Sequence, residues 1–197
     1  MTRIIAGVAR GRVLKVPDKG TRPTSDRVKE SVFSALEHTL GGFHGLRVAD
    51  LYAGSGALGL EAASRGAEQV VLVERAAPAV RVIKENIAAA GLAGVSLAAV
   101  DVAAWARSAA HPGQGWDIVF ADPPYDLADS EIAAVLADLV ANHHLAPDCQ
   151  VIVERGKPRA GASEGFPWPP DFTAVESRVY GDTVVHRATI RGGTSGI

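Results

Sequence analysis

The chain has 197 residues, 47% hydrophobic and 21% charged, which excludes a disordered or fibrous chain and permits a core burying roughly 70% of the unfolded surface. No apolar run approaches the ~18–20 residues of a membrane span and no leader pattern opens the chain, so the expectation is a soluble, cytoplasmic protein without membrane association. A lone cysteine, Cys149, excludes a disulfide framework or cysteine zinc cage, and the net charge of −2 conceals an uneven distribution.

Residues 1–30 carry eight Lys/Arg against three Asp/Glu, and the rest of the chain 12 against 19. A basic arm on an acidic body suits a polyanion-binding attachment, although a solvated tail has the same composition. Within the arm, Arg3–Gly7 and Arg12–Val16 alternate as the strands of a short hairpin around Gly11. A turn-rich stretch, Pro17–Pro23, precedes a helix that Thr24 caps. Asp26 lies in its first turn, and Val28, Val32, Phe33, Leu36 and Leu40 form its apolar face before Gly41-Gly42.

From Leu46 the pattern becomes strand, turn, helix, repeated. Strands are expected at Arg47–Tyr52, Val70–Glu74, Val95–Val100, Asp117–Ala121 and Gln150–Glu154, and helices at Ala57–Arg65, Pro78–Ala90, Val102–Ser108 and Ser130–Asn142. This alternation predicts a parallel sheet with helices on both faces. The β-branched runs Thr173–Tyr180 and Thr183–Ile190, separated by Gly181-Asp182, predict an antiparallel hairpin at one edge.

The first chemically informative stretch is Asp50-Leu-Tyr-Ala-Gly54-Ser-Gly56-Ala-Leu-Gly59, at the carboxyl end of a predicted parallel strand, where open α/β sheets bind ligands. Glycines let backbone approach a ligand, and the following helix offers free N–H groups. Glu74 ends the next strand, placed to grip ribose hydroxyls. Gly54-x-Gly56-x-x-Gly59 also satisfies the dinucleotide fingerprint, so an NAD-type oxidoreductase is a rival. Asp50 separates the two: a carboxylate beside the turn opposes pyrophosphate but suits the positive end of S-adenosylmethionine. Asp101, after the third strand, can accept from an adenine amino group or simply cap the helix starting at Val102.

The second stretch is Asp122-Pro123-Pro124-Tyr125, directly after the fourth strand. Two prolines cannot continue a ladder and hold the preceding residue extended. Pro123 lacks an N–H but keeps an acceptor carbonyl. A carboxylate, a fixed carbonyl and an aromatic ring at one corner fit a planar base with an exocyclic amine. The oxygens take its two N–H bonds while Tyr125 stacks on its face.

The pairing of DLYAGSGALGLEA with DPPY resembles class I S-adenosylmethionine-dependent methyltransferases acting on nucleobase amines. With Arg3-Ile-Ile-Ala-Gly7, Arg10-Gly11-Arg12 and the stretch from Arg22-Pro23-Thr24 to Phe33, the chain resembles the RsmD family. Those enzymes methylate N2 of a guanine in 16S ribosomal RNA. The resemblance implies a Rossmann-like α/β fold whose seven-stranded, mostly parallel sheet has an antiparallel last strand. It implies a cofactor pocket lined by Asp50, Gly54, Ser55, Gly56, Glu74, Asp101 and Val102, with the Arg22–Arg27 stretch, including Thr24 and Arg27, closing over the methionine end. Ser34 departs from an asparagine frequent in the family.

The resulting expectation is a basic hairpin at residues 1–20 on a methyltransferase domain at 21–197. Asp122, Pro123 and Tyr125 are the catalytic candidates, and Arg3, Arg10, Arg12, Lys15 and Arg22 the candidate contacts to 16S rRNA in an assembling or complete small subunit. No metal or obligate protein partner is expected. An N6-adenine methyltransferase on RNA or DNA and a non-catalytic RNA-binding assembly factor are the alternatives. Trp105, Trp116 and Trp168 read as core or loop anchors. His143-His144 reads as a helix end where positive charge is favourable, and Cys149 as an inert small hydrophobe.

Overall fold

The computed structural model describes residues 2–17, 26–109, 115–157 and 165–191. The chain divides into two compact units, Met1–Val102 and Ala103–Ile197. Its main sheet has seven strands, three from the first unit and four from the second.

The first unit begins with a two-stranded antiparallel sheet, β1 (Thr2–Arg3) and β2 (Val13–Leu14), in which Thr2 pairs with Leu14 and Arg3 with Val13. These strands are shorter than the alternation predicts: Ile4 still bonds Arg12 and Gly11 across the hairpin, but Ile5, Ala6, Val8 and Ala9 turn their N–H groups to Glu61 and Ser64. Helix α1 (Asp26–Leu40) follows, then β3 (Arg47–Leu51), α2 (Ala57–Ser64), β4 (Gln69–Val73), α3 (Ala77–Ala90) and β5 (Val95–Ala98). Strand order is β5-β4-β3, and both pairings are parallel. As in other parallel sheets, β3 and β4 are mostly apolar, with Val48, Ala49, Leu51, Leu72 and Val73 buried, while β5 at the end of the order is less buried. Gly91, at φ +62°, ends α3 in a left-handed cap whose N–H donates to Ile87 O.

The α1 face meets the sequence expectation at Val28, Phe33 and Leu36, but its fourth buried residue is Lys29. Lys29 is 1% exposed, and its ammonium donates to Arg3 O at 2.5 Å. One cation of the basic arm is therefore internal. The predicted Thr24 cap and the turn at residues 18–23 lie outside the described residues.

The second unit holds α4 (Val102–Ala106, its first residue shared with the boundary), β6 (Trp116–Ala121), α5 (Asp129–Ala141), β7 (Leu145–Gly156), β8 (Phe172–Tyr180) and β9 (Thr183–Ile190). Its strand order is β6-β7-β9-β8, with β6 and β7 parallel and the two remaining pairings antiparallel. The terminal hairpin falls where the β-branched runs predict it. By contrast, β7 is 12 residues long, far beyond Gln150–Glu154. It starts at Leu145, opposite Trp116, because Gly115 lets the backbone at Ala146 approach: a Cβ on Gly115 would lie 2.4 Å from Ala146 N.

Ile118, Val119, Phe120, Ile132, Leu136, Leu139 and Cys149 are buried in this unit. Trp105 stacks with Trp116 at 6.1 Å and with His144 at 4.8 Å, and Trp168 packs against Phe166 and Phe172, so the tryptophans are anchors. The reading of His144 as a favourable positive charge needs correction. Burial pushes its pKa down, and its Nε2 lies 2.8 Å from Ser108 O, so the ring is a neutral packing element. Among the described residues no helix is long and apolar enough to cross a membrane, and no cluster of three His, Cys, Asp or Glu is arranged to hold a metal.

Candidate active site

In the first unit, the loop after β3 turns sharply. Tyr52, Gly54 and Gly56 all have positive φ, at 58°, 57° and 77°. Only glycine adopts this conformation freely, so Tyr52 is a strained residue at a turn that the sequence marks by its glycines alone. Gly59 is required for a different reason. A Cβ there would lie 2.3 Å from Leu72 Cδ2 and 3.2 Å from Asp50 Cβ, so α2 sits against the sheet only without a side chain.

Asp50 is buried at the end of β3, and its Oδ2 accepts the Gly59 N–H at 2.9 Å. Desolvation raises its pKa from 3.8 to about 7, with Glu74 adding and the Gly59 bond opposing. The folded state therefore binds a proton that the unfolded chain has released, and this contribution to stability is present below pH 3.8 and lost as pH rises toward 7. Asp50→Asn is expected to flatten that slope, so the mutant gains stability over the wild type at neutral pH. Urea unfolding midpoints across pH 4–8 measure the difference, and parallel curves for the two proteins would refute it.

Glu74 follows β4. Its Oε2 accepts Gly54 N–H at 3.0 Å and its Oε1 accepts Ala76 N–H at 2.8 Å, tying the glycine loop to the start of α3. Asp101 follows β5 and pairs with Arg75 at 3.0 Å, while Val102 is buried at the start of α4. Ser55 takes part through its carbonyl, which accepts from Asn86 Nδ2 at 2.8 Å. Asn86 also bonds both backbone groups of Lys15, each at 2.9 Å, and so links the hairpin to the glycine loop. Sequence reading missed Asn86, which sits inside an ordinary helical pattern and has no local signal. Asp50, Glu74 and Asp101 line three successive strand ends. This set suits a cationic ligand with ribose hydroxyls and opposes a diphosphate.

The proposed RNA-contacting residues are distributed unevenly. Arg3 pairs with Asp26 at 3.1 Å, Lys15 pairs with Glu85 at 2.6 Å, and the Arg12 guanidinium donates to Ala89 O. Arg10 is exposed at the hairpin turn with no side-chain partner among the described residues, and Arg27 is exposed in the first turn of α1. Arg22 and Thr24 lie outside the described residues.

In the second unit, β6 ends at Ala121 and Asp122-Pro-Pro-Tyr125 follows. Pro123 is buried, Asp122 is half-buried and Tyr125 is 52% exposed. The Pro124 carbonyl accepts from Leu127 N–H at 3.1 Å and from Arg155 at 3.2 Å, while no such bond to the Pro123 carbonyl occurs among the described residues. Arg155 and Gly156, at the end of β7, both meet this loop. Sequence reading passed over them too, although a glycine closing a strand is a recognised sign of close approach.

The family described as Conserved hypothetical protein 95 matches residues 2–188. The chain is 35% identical over 161 residues to the Haemophilus influenzae ribosomal RNA small subunit methyltransferase D, with 79% of each protein covered. To the Escherichia coli protein of that name it is 39% identical over 124 residues, covering 62% of this chain and 60% of the relative. A solved structure of a Thermus thermophilus protein described as hypothetical superimposes with a TM-score of 0.76 at 32% identity, covering 97% and 99% of the two chains.

Proposed function

Because the chain belongs to the family described as Conserved hypothetical protein 95, the RsmD family, we propose that it transfers a methyl group from S-adenosylmethionine to the N2 amine of a guanine in 16S ribosomal RNA. Family membership supports ribosomal RNA methylation, and guanine N2 is our finer reading. The observation that carries it is the Asp122–Tyr125 corner: a carboxylate at a strand end, a fixed carbonyl with no internal donor among the described residues, and a half-exposed ring.

The residues fit the donor. Asp50 meets its positive end, and a cation placed there draws the carboxyl toward its ionised form. Glu74 takes the ribose, Asp101 the adenine amine, and the backbone at Gly54, Ser55 and Gly56 passes close by, with Val102 beside the base. Arg27 and Thr24 belong to the segment that closes over the methionine end. S-adenosylmethionine, when bound, supplies an electrophilic methyl carbon on a sulfonium.

The chain's own residues prepare the nucleophile. The N2 lone pair of guanine is delocalised into the ring, which makes it weak. Accepting its two N–H bonds at Asp122 and the Pro123 carbonyl favours the pyramidal amine and directs the lone pair outward, while Tyr125 holds the ring plane. Positioning and charge stabilisation supply most of the acceleration. Forming the N–C bond would break the methyl carbon–sulfur bond and leave a neutral thioether, and the cationic, acidic nitrogen would then give its proton to Asp122 or to water.

Arg10 and Arg22 are our foremost RNA contacts. Arg3, Arg12 and Lys15 can join them at little cost, since their present partners form exposed pairs worth roughly 0–1 kcal/mol. The hairpin thus serves as an RNA-contacting attachment, and the substrate is 16S rRNA within an assembling or complete small subunit.

The test is transfer of labelled methyl from S-adenosylmethionine to small subunits from cells lacking the enzyme, followed by digestion and mass spectrometry of the nucleosides. N2-methylguanosine is expected. N6-methyladenosine would replace the guanine reading with the adenine one, and no incorporation into any RNA would indicate an assembly factor.

A further inference from the structure

The loop from Asp122 to α5 carries several bonds of its own. Leu127 N–H reaches Pro124 O at 3.1 Å, Glu131 N–H reaches Ala128 O at 3.0 Å, and Ala128 N–H reaches Glu131 Oε2 at 3.2 Å. The end of β7 holds it from outside. Arg155 directs Nη1 to Pro124 O at 3.2 Å and Nη2 to Leu127 O at 2.6 Å and Tyr125 O at 3.5 Å. Its Nε lies 2.7 Å from Asp129 Oδ1, and its side chain is only 12% exposed. One planar guanidinium thus binds three carbonyls and a carboxylate, a fork that lysine cannot reproduce. The backbone of Arg155 is fixed in the ladder, paired with Val184 of β9.

The next residue completes the arrangement. A Cβ on Gly156 would lie 3.0 Å from Tyr125 Cδ1 and 3.1 Å from Cε1. Gly156 is an ordinary strand residue paired with Thr183, so backbone conformation does not demand glycine there. The ring of Tyr125 is what a side chain would meet: it lies close against the bare Cα and would have to give by a few tenths of an ångström, in a residue that is otherwise 52% exposed.

We propose that Arg155 and Gly156 are positioning residues for the acceptor corner, the guanidinium setting the 124–129 loop and the bare Cα seating the Tyr125 ring in the plane on which the base stacks. The proposal rests on the reading of Tyr125 as stacking platform. A ring pinned on one side loses little further freedom when a base arrives. Misplacing it by about an ångström is of the size that costs roughly a hundredfold in rate.

The test combines Arg155→Met, Arg155→Lys, Gly156→Ala and Gly156→Val, with the glycine variants also made on Tyr125→Ala. Arg155→Met and Arg155→Lys are both expected to lower kcat about 10- to 100-fold, with S-adenosylmethionine affinity and the thermal midpoint close to wild type. Gly156→Val is expected to raise KM for RNA and lower kcat, with Gly156→Ala intermediate. On Tyr125→Ala the glycine variants should add nothing further, because the ring through which they act is gone. Full additivity there, or normal kcat in Arg155→Met, would overturn the proposal. Hydrogen exchange gives a readout that needs no turnover: the Leu127 amide should exchange faster in Arg155→Met, and unchanged exchange would remove the clamp. If wild-type protein methylates no RNA while Leu127 exchange still responds, the functional reading fails and the clamp stands.

Discussion

Replacing Asp122 with alanine is expected to lower methyl transfer by about a thousandfold, the scale lost when a positioned polar group at the reacting centre is removed, while S-adenosylmethionine binds within a few-fold of wild type. The split follows from the architecture. Asp122 belongs to the second unit, after β6, whereas the proposed donor contacts at Asp50, Glu74 and Asp101 belong to the first. Asp122→Asn refines the result, since its Oδ1 can still accept the one N–H bond assigned to this side chain: partial recovery is expected if acceptance is what the residue supplies, and none if its charge is. Single-turnover rates with calorimetric donor affinities measure both quantities, and near-normal turnover in Asp122→Ala would remove the residue from the reaction.

Replacing Glu61 with alanine is expected to destabilise the protein by about 3–5 kcal/mol, the range found when one partner of a buried ion pair is removed. Glu61 is 0% exposed in α2, where Oε2 accepts Ile5 N–H at 2.7 Å and Oε1 accepts Ala6 N–H at 3.0 Å and Arg65 Nε at 2.8 Å. Lys29 lies 4.0 Å away, its pKa lowered by burial and supported by Glu61 and Asp26. Without the carboxylate, two backbone donors and Arg65 Nε lose their acceptor together, and the buried Lys29 ammonium loses a counter-charge. Ser64 extends the seam: its Oγ donates to Ala6 O at 2.6 Å, and its carbonyl accepts Val8 N–H at 2.8 Å. The approach is close enough that a Cβ on Gly7 would lie 1.8 Å from Ser64 O. Urea unfolding reads the loss, and a cost under about 1 kcal/mol, the level of an exposed pair, would contradict it. The same seam shows why deleting residues 1–16 is a poor probe of RNA contact: it uncovers Glu61 and Lys29 along with removing the arginines.

Fold class was legible in the chain because apolar runs of strand length, glycine turns and amphipathic helices are local properties, and the order of elements follows the periodicity even where β1, β2 and β7 differ from it in length. The DLYAGSGALG turn and the DPPY corner were legible for the same reason: a tight turn and a Pro-Pro corner are written in consecutive residues. Asn86, Glu61 and Arg155 were not. Each is a polar residue in an unremarkable helix or strand, and its partners lie 71, 56 and 28–31 positions away. Charge was legible only as composition. Eight cations near the N-terminus fit a polyanion-binding arm, but which of them face solvent is a tertiary matter: burial beside Glu61 and Asp26 makes Lys29 structural, and Asp26, Ala89 and Glu85 engage Arg3, Arg12 and Lys15.

The amino-acid order by itself determined which backbone segments turn, extend or coil, since those preferences arise from each residue and its neighbours. Tertiary structure alone decided which polar groups lose water together, and therefore which carboxylate is raised to a pKa of about 7, which arginine clamps a loop and which glycine seats a ring. Desolvation and hydrogen-bond partnership depend on distances between remote parts of the chain, and folding creates those distances.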